Sequence, residues 1–350
     1  GVAAAMNVLH VPLVIALIAA AFLGAPVFVL LGGLAVLFFT HSGGSLEVIP
    51  NEAYTMLSGP MIPALPLFTL AGFIISESKA GERLVRLFRA LFGWLPGGLA
   101  IMSVLICAFM TTFTGASGVT ILAVGSLLMF ILTAGSYRER FSTGLLTSAG
   151  SIGLLFPPSL PIILYGVMAQ VSIKDMFVGG ILPGVFMVLA LAVMGVVRAV
   201  RDKVPRVPFT PKEAGLSILP ALGEVLLPVF ILILFLGGVM TIVETAAFAV
   251  VYALVLEVVV HRDIPWKRLP EVFFKSGLIV GGVLAILSVA KGLSYYIVDA
   301  EIPMRMTDWM LARVGSKYLF LALLNVALLV VGCFLDIFSA ITVVVPLIIP

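Results

Sequence analysis

The most constraining feature of this 350-residue sequence is a pair of prolines, Pro157 and Pro158, inside an apolar stretch. Apolar runs flank the pair on both sides, over residues 141–149 and 160–169. Two successive prolines remove two backbone N–H donors, and their rings clash with the preceding turn, so an unbroken helix cannot pass through them. The segment Gly150–Ser159 is therefore predicted to interrupt a helix.

The composition places this interruption in a membrane. Hydrophobic residues make up 62% of the chain and charged residues 11%, against roughly 25% charged residues in soluble domains. A soluble fold of this length could not hide so much apolar surface, which predicts an all-α polytopic membrane protein. Within a bilayer, carbonyls freed by a broken helix must be buried in protein or bound by a ligand. We therefore predict that the break holds a cation near the bilayer midplane.

Two other parts of the chain have a readable pattern. Residues 8–39 are apolar except at Gly24-Ala25-Pro26, which is compatible with a kinked helix or with a tight hairpin. Over residues 81–94, Arg83, Arg86 and Arg89 recur every three residues opposite an apolar face. This pattern predicts a basic amphipathic helix lying in the membrane interface, with a charged extramembrane loop as the alternative.

Basic residues form four clusters along the chain, one of which is the basic helix. Counting membrane crossings puts all four clusters on the same side of the membrane. The clusters are residues 79–89, Arg138 with Arg140, residues 198–212 and residues 261–268. An excess of Lys and Arg is typical of cytoplasmic loops. That side of the protein is therefore predicted to be cytoplasmic.

A joint of small and hydroxyl residues, Thr114–Gly118, connects the apolar runs 97–113 and 119–134. A loop in water would be more polar, so we predict a re-entrant hairpin whose tip stays inside the protein; two ordinary spanning helices are the alternative. A second hairpin is predicted around residues 334–339, between the runs 318–333 and 341–349.

The two hairpins share a short sequence repeat, Ser-x-(Val/Ile)-Thr, at residues 117–120 and 339–342. With opposite entry faces, this predicts two inverted-topology repeats that contain re-entrant hairpins and proline-broken helices. The second repeat would then need its own broken helix after Pro350, so we expect the sequence to lack a C-terminal portion. The predicted organisation has four parts: N-terminal scaffold helices with a basic interfacial arm helix (1–96), the first hairpin and broken helix (97–175), a connector with scaffold helices (176–316) and the second hairpin (317–350).

Several motifs occur together in this order along essentially the whole chain: Thr114–Ile121, Gly150–Ser159 with Ile162–Gly166, Gly180–Gly184, Glu244–Ala247, and Phe334–Asp336 with Pro346 and Pro350. In these motifs the sequence resembles the large membrane subunit of TRAP transporters, the tripartite ATP-independent periplasmic type. It departs from that family at Thr241-Ile242-Val243, where Thr-Pro-Thr is often found, and this weakens any detailed role for Glu244.

The resemblance implies a function and a set of partners. It implies sodium-driven import of an organic acid, such as a C4-dicarboxylate or sialic acid, by an elevator mechanism in the bacterial inner membrane. A periplasmic binding protein would deliver the substrate, and a small four-helix membrane subunit, separate or fused upstream, would brace the scaffold. Na⁺ would be the coupling ion, with no other cofactor.

Sodium is a hard cation that favours oxygen ligands, which hydroxyls and unwound carbonyls supply without a permanent charge. The predicted sodium ligands are Gly115, Ala116, Ser117, Ser151, Gly153, Leu154 and Phe156 for one site, and Asp336, Ser339 and Thr342 for a second. The predicted substrate-site residues are Thr120, Pro157, Pro158 and Ser159, and Gly150 and Glu244 are assigned structural roles. Helix N-termini at Ser159 and Val119 are expected to present N–H groups to a carboxylate.

Two other functions fit parts of the sequence. Gly115-Ala116-Ser117-Gly118 is similar to the Gly-x-Ser-Gly around rhomboid-protease nucleophiles, but a serine nucleophile needs a general base. The histidines, His10, His41 and His261, all lie outside the later apolar helices, so we expect no enzyme activity. A direct sodium/carboxylate symporter without a binding protein is the second alternative. The absence of arginine near the hairpins favours delivery by a partner that recognises the carboxylate itself.

Overall fold

A computed structural model describes residues 2–206, 208–313 and 315–349, and over these ranges the chain is helical without strands. The α-helices are α1 (Val2–Phe22), α2 (Val27–Ser42), α3 (Val48–Leu57), α4 (Ala64–Glu77), α5 (Ala80–Phe92), α6 (Gly98–Thr114), α7 (Ser117–Thr120), α8 (Ser126–Ala134), α9 (Glu139–Ile152), α10 (Leu160–Ala169), α11 (Ile173–Arg201), α12 (Pro211–Leu236), α13 (Ile242–Leu254), α14 (Leu269–Asp299), α15 (Ile302–Arg313), α16 (Lys317–Phe334) and α17 (Ile337–Ile348).

Among the described residues, five helical segments are long and apolar enough to cross a bilayer. They are Ser117–Ala134, Ile173–Arg201, Pro211–Leu236, Ile242–Val260 and Trp266–Asp299. A sixth crossing results if the bent pair Glu139–Leu155 and Leu160–Ala169 counts as one span. The prediction of an all-α polytopic membrane protein is confirmed.

The chain divides into two compact units. Residues 1–62, 164–171 and 279–350 form the first unit, and residues 63–163 and 172–278 form the second. The core of the first unit joins α2 to the C-terminal half of α14, where Leu31 and Ala35 pack with Ala290 and Leu293.

The N-terminal apolar stretch is a hairpin rather than one kinked helix. Gly24, between α1 and α2, has φ +97°, a left-handed conformation that glycine adopts without a Cβ clash. The rings of His10 and His41 stack with centroids 4.3 Å apart, so the two helices run antiparallel. A Cβ at Gly33 would lie 2.8 Å from Leu17 Cδ1, which explains why the helices pack closely there.

Helix α6 lies at the centre of the second unit, where it packs against α4, α5, α9 and α11. Small residues allow the close approach of these neighbours. A Cβ at Gly195 of α11 would lie 2.6 Å from the Cβ of Ala100, and a Cβ at Gly72 of α4 would overlap the Phe113 carbonyl. These contacts lie near the two ends of α6 and hold both ends against the neighbouring helices.

The predicted basic helix exists as α5, and its location in the membrane interface stays a prediction. Arg83 differs from Arg86 and Arg89 in having carboxylate partners among the described residues. Arg83 donates from Nε to Glu224 (2.5 Å) and from Nη2 to Glu257 (2.7 Å). It also donates from Nη1 to Asp263. The side chains of both glutamates are fully buried. Arg83 thus connects α5 to α12 through Glu224 and to the C-terminal end of the span Ile242–Val260 through Glu257.

The ion pairs change the pKa of groups that lie outside the spans. Burial acts to lower the pKa of Arg83, but its hydrogen bond to Asp263 and the charges of Glu257 and Glu224 raise it above the ordinary arginine value. Burial acts to raise the pKa of Asp263, but hydrogen bonds from Arg83 and the Lys79 backbone hold it below its usual range. Both groups therefore stay ionised at neutral pH.

Candidate ion site at a broken helix

The helix break predicted at the two prolines is confirmed. Helix α9 ends at Ile152, a 3-10 turn follows over Gly153–Leu155, and α10 begins at Leu160. The axes on either side are bent by 48°, and the Pro157–Pro158 peptide bond is cis. Ser159 lies at the start of α10, where its hydroxyl donates to the Leu154 carbonyl instead of capping the new helix.

The joint between α6 and α7 is tighter than predicted. Helix α6 ends at Thr114, and α7 begins at Ser117 rather than near Val119, so the free N–H groups lie two residues earlier. Gly115 takes φ +66°, and a Cβ there would lie 2.7 Å from Leu160 Cγ, so the joint packs directly on the start of α10. Ser117–Ala134 has a length that could span a bilayer, and the re-entrant hairpin stays a prediction.

Three buried threonines connect the joint to the broken helix. Thr111 Oγ1 lies 2.8 Å from Thr120 Oγ1 and 2.8 Å from the carbonyl oxygen of Gly150. Thr114 Oγ1 lies 2.8 Å from the same Thr120 oxygen. These residues, Thr111, Thr114, Thr120 and the Gly150 carbonyl, are called the threonine cluster below. Each threonine in it is at most 1% exposed.

The hydrogen-bond pattern of the threonine cluster leaves acceptor oxygens free. A hydroxyl has one hydrogen and two lone pairs. If Thr111 donates to Gly150, then Thr120 donates to Thr111 and Thr114 donates to Thr120, so every hydrogen is used. Each threonine oxygen then keeps at least one free lone pair. The cluster is a neutral, buried set of oxygen acceptors that lacks a positive partner among the described residues.

A second contact joins α6 to the break at Gly153. Thr112 Oγ1 donates to the Gly153 carbonyl at 3.2 Å as well as to Ala108 at 2.8 Å. A Cβ at Gly153 would overlap the Ala108 carbonyl and lie 2.7 Å from the Thr112 backbone nitrogen. Only glycine allows the two backbones to approach this closely. Unwound carbonyls of the 3-10 turn are therefore held against α6.

The other predicted ligands of the first sodium site have differing environments. Gly115 and Leu154 are buried, and Ala116, Ser117 and Phe156 are half-buried. The Ala116 carbonyl oxygen lies 3.3 Å from Thr114 Oγ1, further than the 2.8 Å between Thr114 Oγ1 and Thr120 Oγ1. Ser151 is exposed, and its hydroxyl donates to Ser148 of its own helix at 2.9 Å. The Ser151 hydroxyl therefore does not join the threonine cluster.

The predicted second site lies in the first unit. Asp336 is exposed and caps α17 by accepting from the backbone N–H groups of Phe338 (3.0 Å) and Ser339 (3.3 Å). The Ser339 hydroxyl also donates to Asp336, whereas Thr342 donates back to Ser339 at 2.9 Å within its helix. Ser339 and Thr342 are fully buried. Asp336 and Ser339 thus form a helix cap, whereas Thr342 bonds backbone carbonyls within α17.

The predicted substrate-site residues separate into two environments. Thr120 belongs to the threonine cluster. Pro157 lines an apolar groove of about 420 Å³ with Phe109, Phe113 and Phe156, in which Thr112 is the polar lining residue. Pro158 and Ser159 are buried.

The two residues with predicted structural roles have local hydrogen bonds. The Gly150 carbonyl accepts from Thr111, and Glu244 forms a capping box with Thr241 at the start of α13. In that box the backbone N–H of Thr241 donates to Glu244 at 2.7 Å, and the N–H of Glu244 donates to the Thr241 hydroxyl at 3.3 Å.

Sequence reasoning missed Thr111, Thr112 and Thr114 as site residues. The signal was available, because three of the four residues 111–114 are threonines at the end of an otherwise apolar run. Threonines in membrane helices commonly bond a backbone carbonyl of their own helix. The sequence alone therefore does not distinguish them from the few threonines that bond another helix.

Comparison with known proteins agrees with a chain of several apolar helices that could cross a membrane. Residues 7–350 match the family described as tripartite ATP-independent periplasmic transporter, DctM component. The chain belongs to this family. The resemblance seen in its motifs is confirmed.

The relatives are named for different substrates. The chain is 30% identical over 350 residues to the C4-dicarboxylate TRAP transporter large permease protein DctM of Vibrio cholerae, covering 93% of this chain and 77% of the relative. It is 31% identical over 337 residues to the isethionate TRAP transporter permease protein DctMQ of Oleidesulfovibrio alaskensis. That match covers 93% of this chain and 52% of the relative. The chain is 30% identical over 344 residues to the ectoine/5-hydroxyectoine permease UehC of Ruegeria pomeroyi, covering 97% and 77%. The chain thus spans about half of the isethionate protein and about three quarters of the other two.

Family membership decides two broad questions. The family places the chain in the bacterial inner membrane, and its apolar spans indicate a multi-pass protein. Its relatives are transport permeases rather than enzymes, so the serine-protease alternative is excluded.

Proposed function

We propose that this large permease imports a small organic acid and that sodium drives the import. The observation that carries the proposal is the threonine cluster, a buried and uncharged group of oxygens beside a helix break in a membrane protein. The hydroxyl hydrogens are used within the cluster, so the lone pairs that remain can face a cation. The free lone pairs of Thr111, Thr114 and Thr120 are suited to a hard monovalent ion.

The proposed substrate is a small molecule with an acidic group. The relatives named for C4-dicarboxylates, isethionate and ectoine handle small compounds that carry a carboxylate or a sulfonate. The helix starts at Leu160 and Ser117 offer backbone N–H groups that favour such an anion. A sodium ion in the threonine cluster would add positive charge to the same region, which couples ion and acid binding.

We further propose that a periplasmic binding protein and a small membrane subunit complete the transporter and that the substrate site moves in an elevator motion. Membership of a tripartite family supports the first part. The elevator motion is what membership of this family implies, with the predicted hairpins and the broken helices as the moving part. A direct symporter without a binding protein is the second candidate, and the same experiment distinguishes it from the tripartite transporter.

The experiment measures uptake of labelled acids into proteoliposomes. The full-length permease and its small subunit are reconstituted, and succinate and isethionate are offered with and without an inward sodium gradient and the cognate binding protein. Uptake that needs both is the expected result. Uptake that needs sodium alone would support the direct symporter, and uptake that is independent of sodium would contradict the ion site.

Replacing Thr120 with valine should weaken sodium dependence specifically. The change keeps the side-chain shape but removes the oxygen that bonds both Thr111 and Thr114. We expect the sodium concentration for half-maximal uptake to rise about tenfold, the effect of losing about 1.4 kcal/mol of binding. The measurement is the sodium titration of uptake.

Thr143→Val is the matched control for this titration. Thr143 is exposed in α9, and its hydroxyl bonds only Glu139 of its own helix at 3.0 Å. The control should keep the wild-type sodium dependence. Equal titrations for Thr120→Val and wild type, at equal amounts of folded protein, would refute the threonine cluster as an ion site.

A further inference from the structure

A cavity of about 630 Å³ lies between the basic helix α5 and the start of α12. Arg83, Arg86 and Arg89 line it from α5, and the facing wall comes from the connector and the first turns of α12. That wall consists of Pro208, Thr210, Glu213, Leu216, Ser217 and Pro220. The lining therefore combines cations and hydroxyls with apolar surface.

The arginines of this cavity are in different electrostatic states. Arg83 is bound to Glu224, Glu257 and Asp263, so its positive charge is already paired with carboxylates. Arg86 and Arg89 are exposed, and neither has an ion-pair partner among the residues that the structure describes. With the carboxylate of Glu213, the groups free to act on a ligand carry a net charge of about +1 at neutral pH. The cavity is matched to a ligand with one negative charge.

The position of the cavity indicates where that ligand comes from. The span Ile173–Arg201 ends before the connector, and the span Pro211–Leu236 begins inside the cavity wall, so the cavity lies at a membrane boundary. Next to it, Trp94 and Phe209 meet edge to face with centroids 6.2 Å apart, and both are about half exposed. Exposed aromatic rings at span ends are typical of the lipid headgroup level.

We propose that this cavity binds the headgroup of an anionic phospholipid. Arg86 and Arg89 contact the phosphate of the lipid. Thr210 and Ser217 lie beside its polar headgroup, and Leu216 and Pro220 contact the first methylene groups of its acyl chains. Basic pockets between helices at the cytoplasmic side of membranes are suited to such lipids. The bound lipid would fasten α5 to the start of α12, in addition to the buried ion pair between Arg83 and Glu224. This proposal is independent of the transported substrate and of sodium.

The test compares lipid binding by wild type and by the double variant Arg86→Gln, Arg89→Gln. The full-length permease with its small subunit is delipidated in detergent and titrated with phosphatidylglycerol, and retained lipid is measured by native mass spectrometry. Each basic residue near a membrane surface contributes about fivefold in lipid affinity, so the double variant should bind roughly 30-fold more weakly. Unchanged retention by the double variant would overturn the proposal.

Two further variants separate the cavity from general surface charge. Arg201→Gln with Arg206→Gln removes the same charge from exposed positions outside the cavity lining and should keep wild-type binding. Ala90→Phe fills the cavity without changing its charge and should weaken binding. An equal loss in the Arg201 and Arg206 control would show a general charge effect and would contradict the site.

Two ligand controls identify the source of the phosphate. Phosphatidylglycerol should raise the melting temperature of the wild-type protein, whereas phosphatidylethanolamine and inorganic phosphate at the same concentration should raise it less. An equal rise with inorganic phosphate would make this a free-anion site. An equal rise with phosphatidylethanolamine would remove the preference for a net negative charge. Either result would overturn the assignment to an anionic lipid.

Discussion

Replacing Gly153 with alanine should abolish uptake and lower the melting temperature of the permease. The added Cβ would overlap the Ala108 carbonyl and lie 2.7 Å from the Thr112 nitrogen. Both neighbours are backbone atoms of α6, so neither can move without shifting the helix. Overpacking of this kind costs about 1–3 kcal/mol. A shift here also pulls the Gly153 carbonyl away from the Thr112 hydroxyl.

Gly144→Ala is a control with the opposite expected sign. Gly144 lies in the same helix, α9, and is exposed, and a Cβ added to it would meet no atom within 4 Å outside its own helix. Alanine is favoured over glycine inside helices by about 0.5–1 kcal/mol. We therefore expect Gly144→Ala to keep uptake and to raise the melting temperature slightly. Wild-type uptake and stability in Gly153→Ala would show that α6 and the broken helix are not in the close contact described.

Replacing Arg83 with alanine should destabilise the second unit strongly. The change removes the cation that bonds Glu224, Glu257 and Asp263, and the side chains of both glutamates are fully buried. Removing one partner of a buried ion pair costs about 3–5 kcal/mol, because the remaining charge is left uncompensated. Thermal unfolding of the purified protein measures the loss. Arg140→Ala, at an exposed arginine without an ion pair among the described residues, should leave the melting temperature unchanged.

A rescue variant identifies the cause of that loss. Glu224→Gln and Glu257→Gln, added to Arg83→Ala, remove the two buried charges while keeping the side-chain volumes. If uncompensated charge causes the destabilisation, the triple variant should recover most of the lost stability. A triple variant as unstable as Arg83→Ala would instead assign the loss to missing packing by the arginine side chain.

The sequence was most informative where the physics is local. Apolar runs predict helices in a membrane because each buried residue adds its own transfer free energy, whatever its neighbours are. The helix break at Pro157 and Pro158 follows from the missing N–H groups and ring clashes of those two residues. Helix α5 follows from its three-residue spacing of arginines. Each feature depends on residues close in the chain, and each is found in the structure.

The side-chain partners were not readable from the sequence. Arg83 has the same spacing as Arg86 and Arg89, but it alone of the three meets carboxylates among the described residues, and these lie 141 to 180 residues away in the chain. Ser151 follows Gly150 directly, and each helical residue turns about 100° around the axis. The Gly150 carbonyl therefore joins the threonine cluster, while the Ser151 hydroxyl is exposed. Only the rotation of α9 against α6 decides which of the two residues belongs to the site.

The sequence by itself determined that the chain folds in a lipid bilayer, that it is helical, where its helix is broken and which family it belongs to. These follow from composition, local backbone chemistry and motif order. The tertiary structure alone decided that Thr111, Thr114 and Thr120 meet around the Gly150 carbonyl and that Gly153 is pressed against α6. The physical reason is that hydrogen bonds and close backbone contacts act over about 3 Å, so they depend on how distant helices pack.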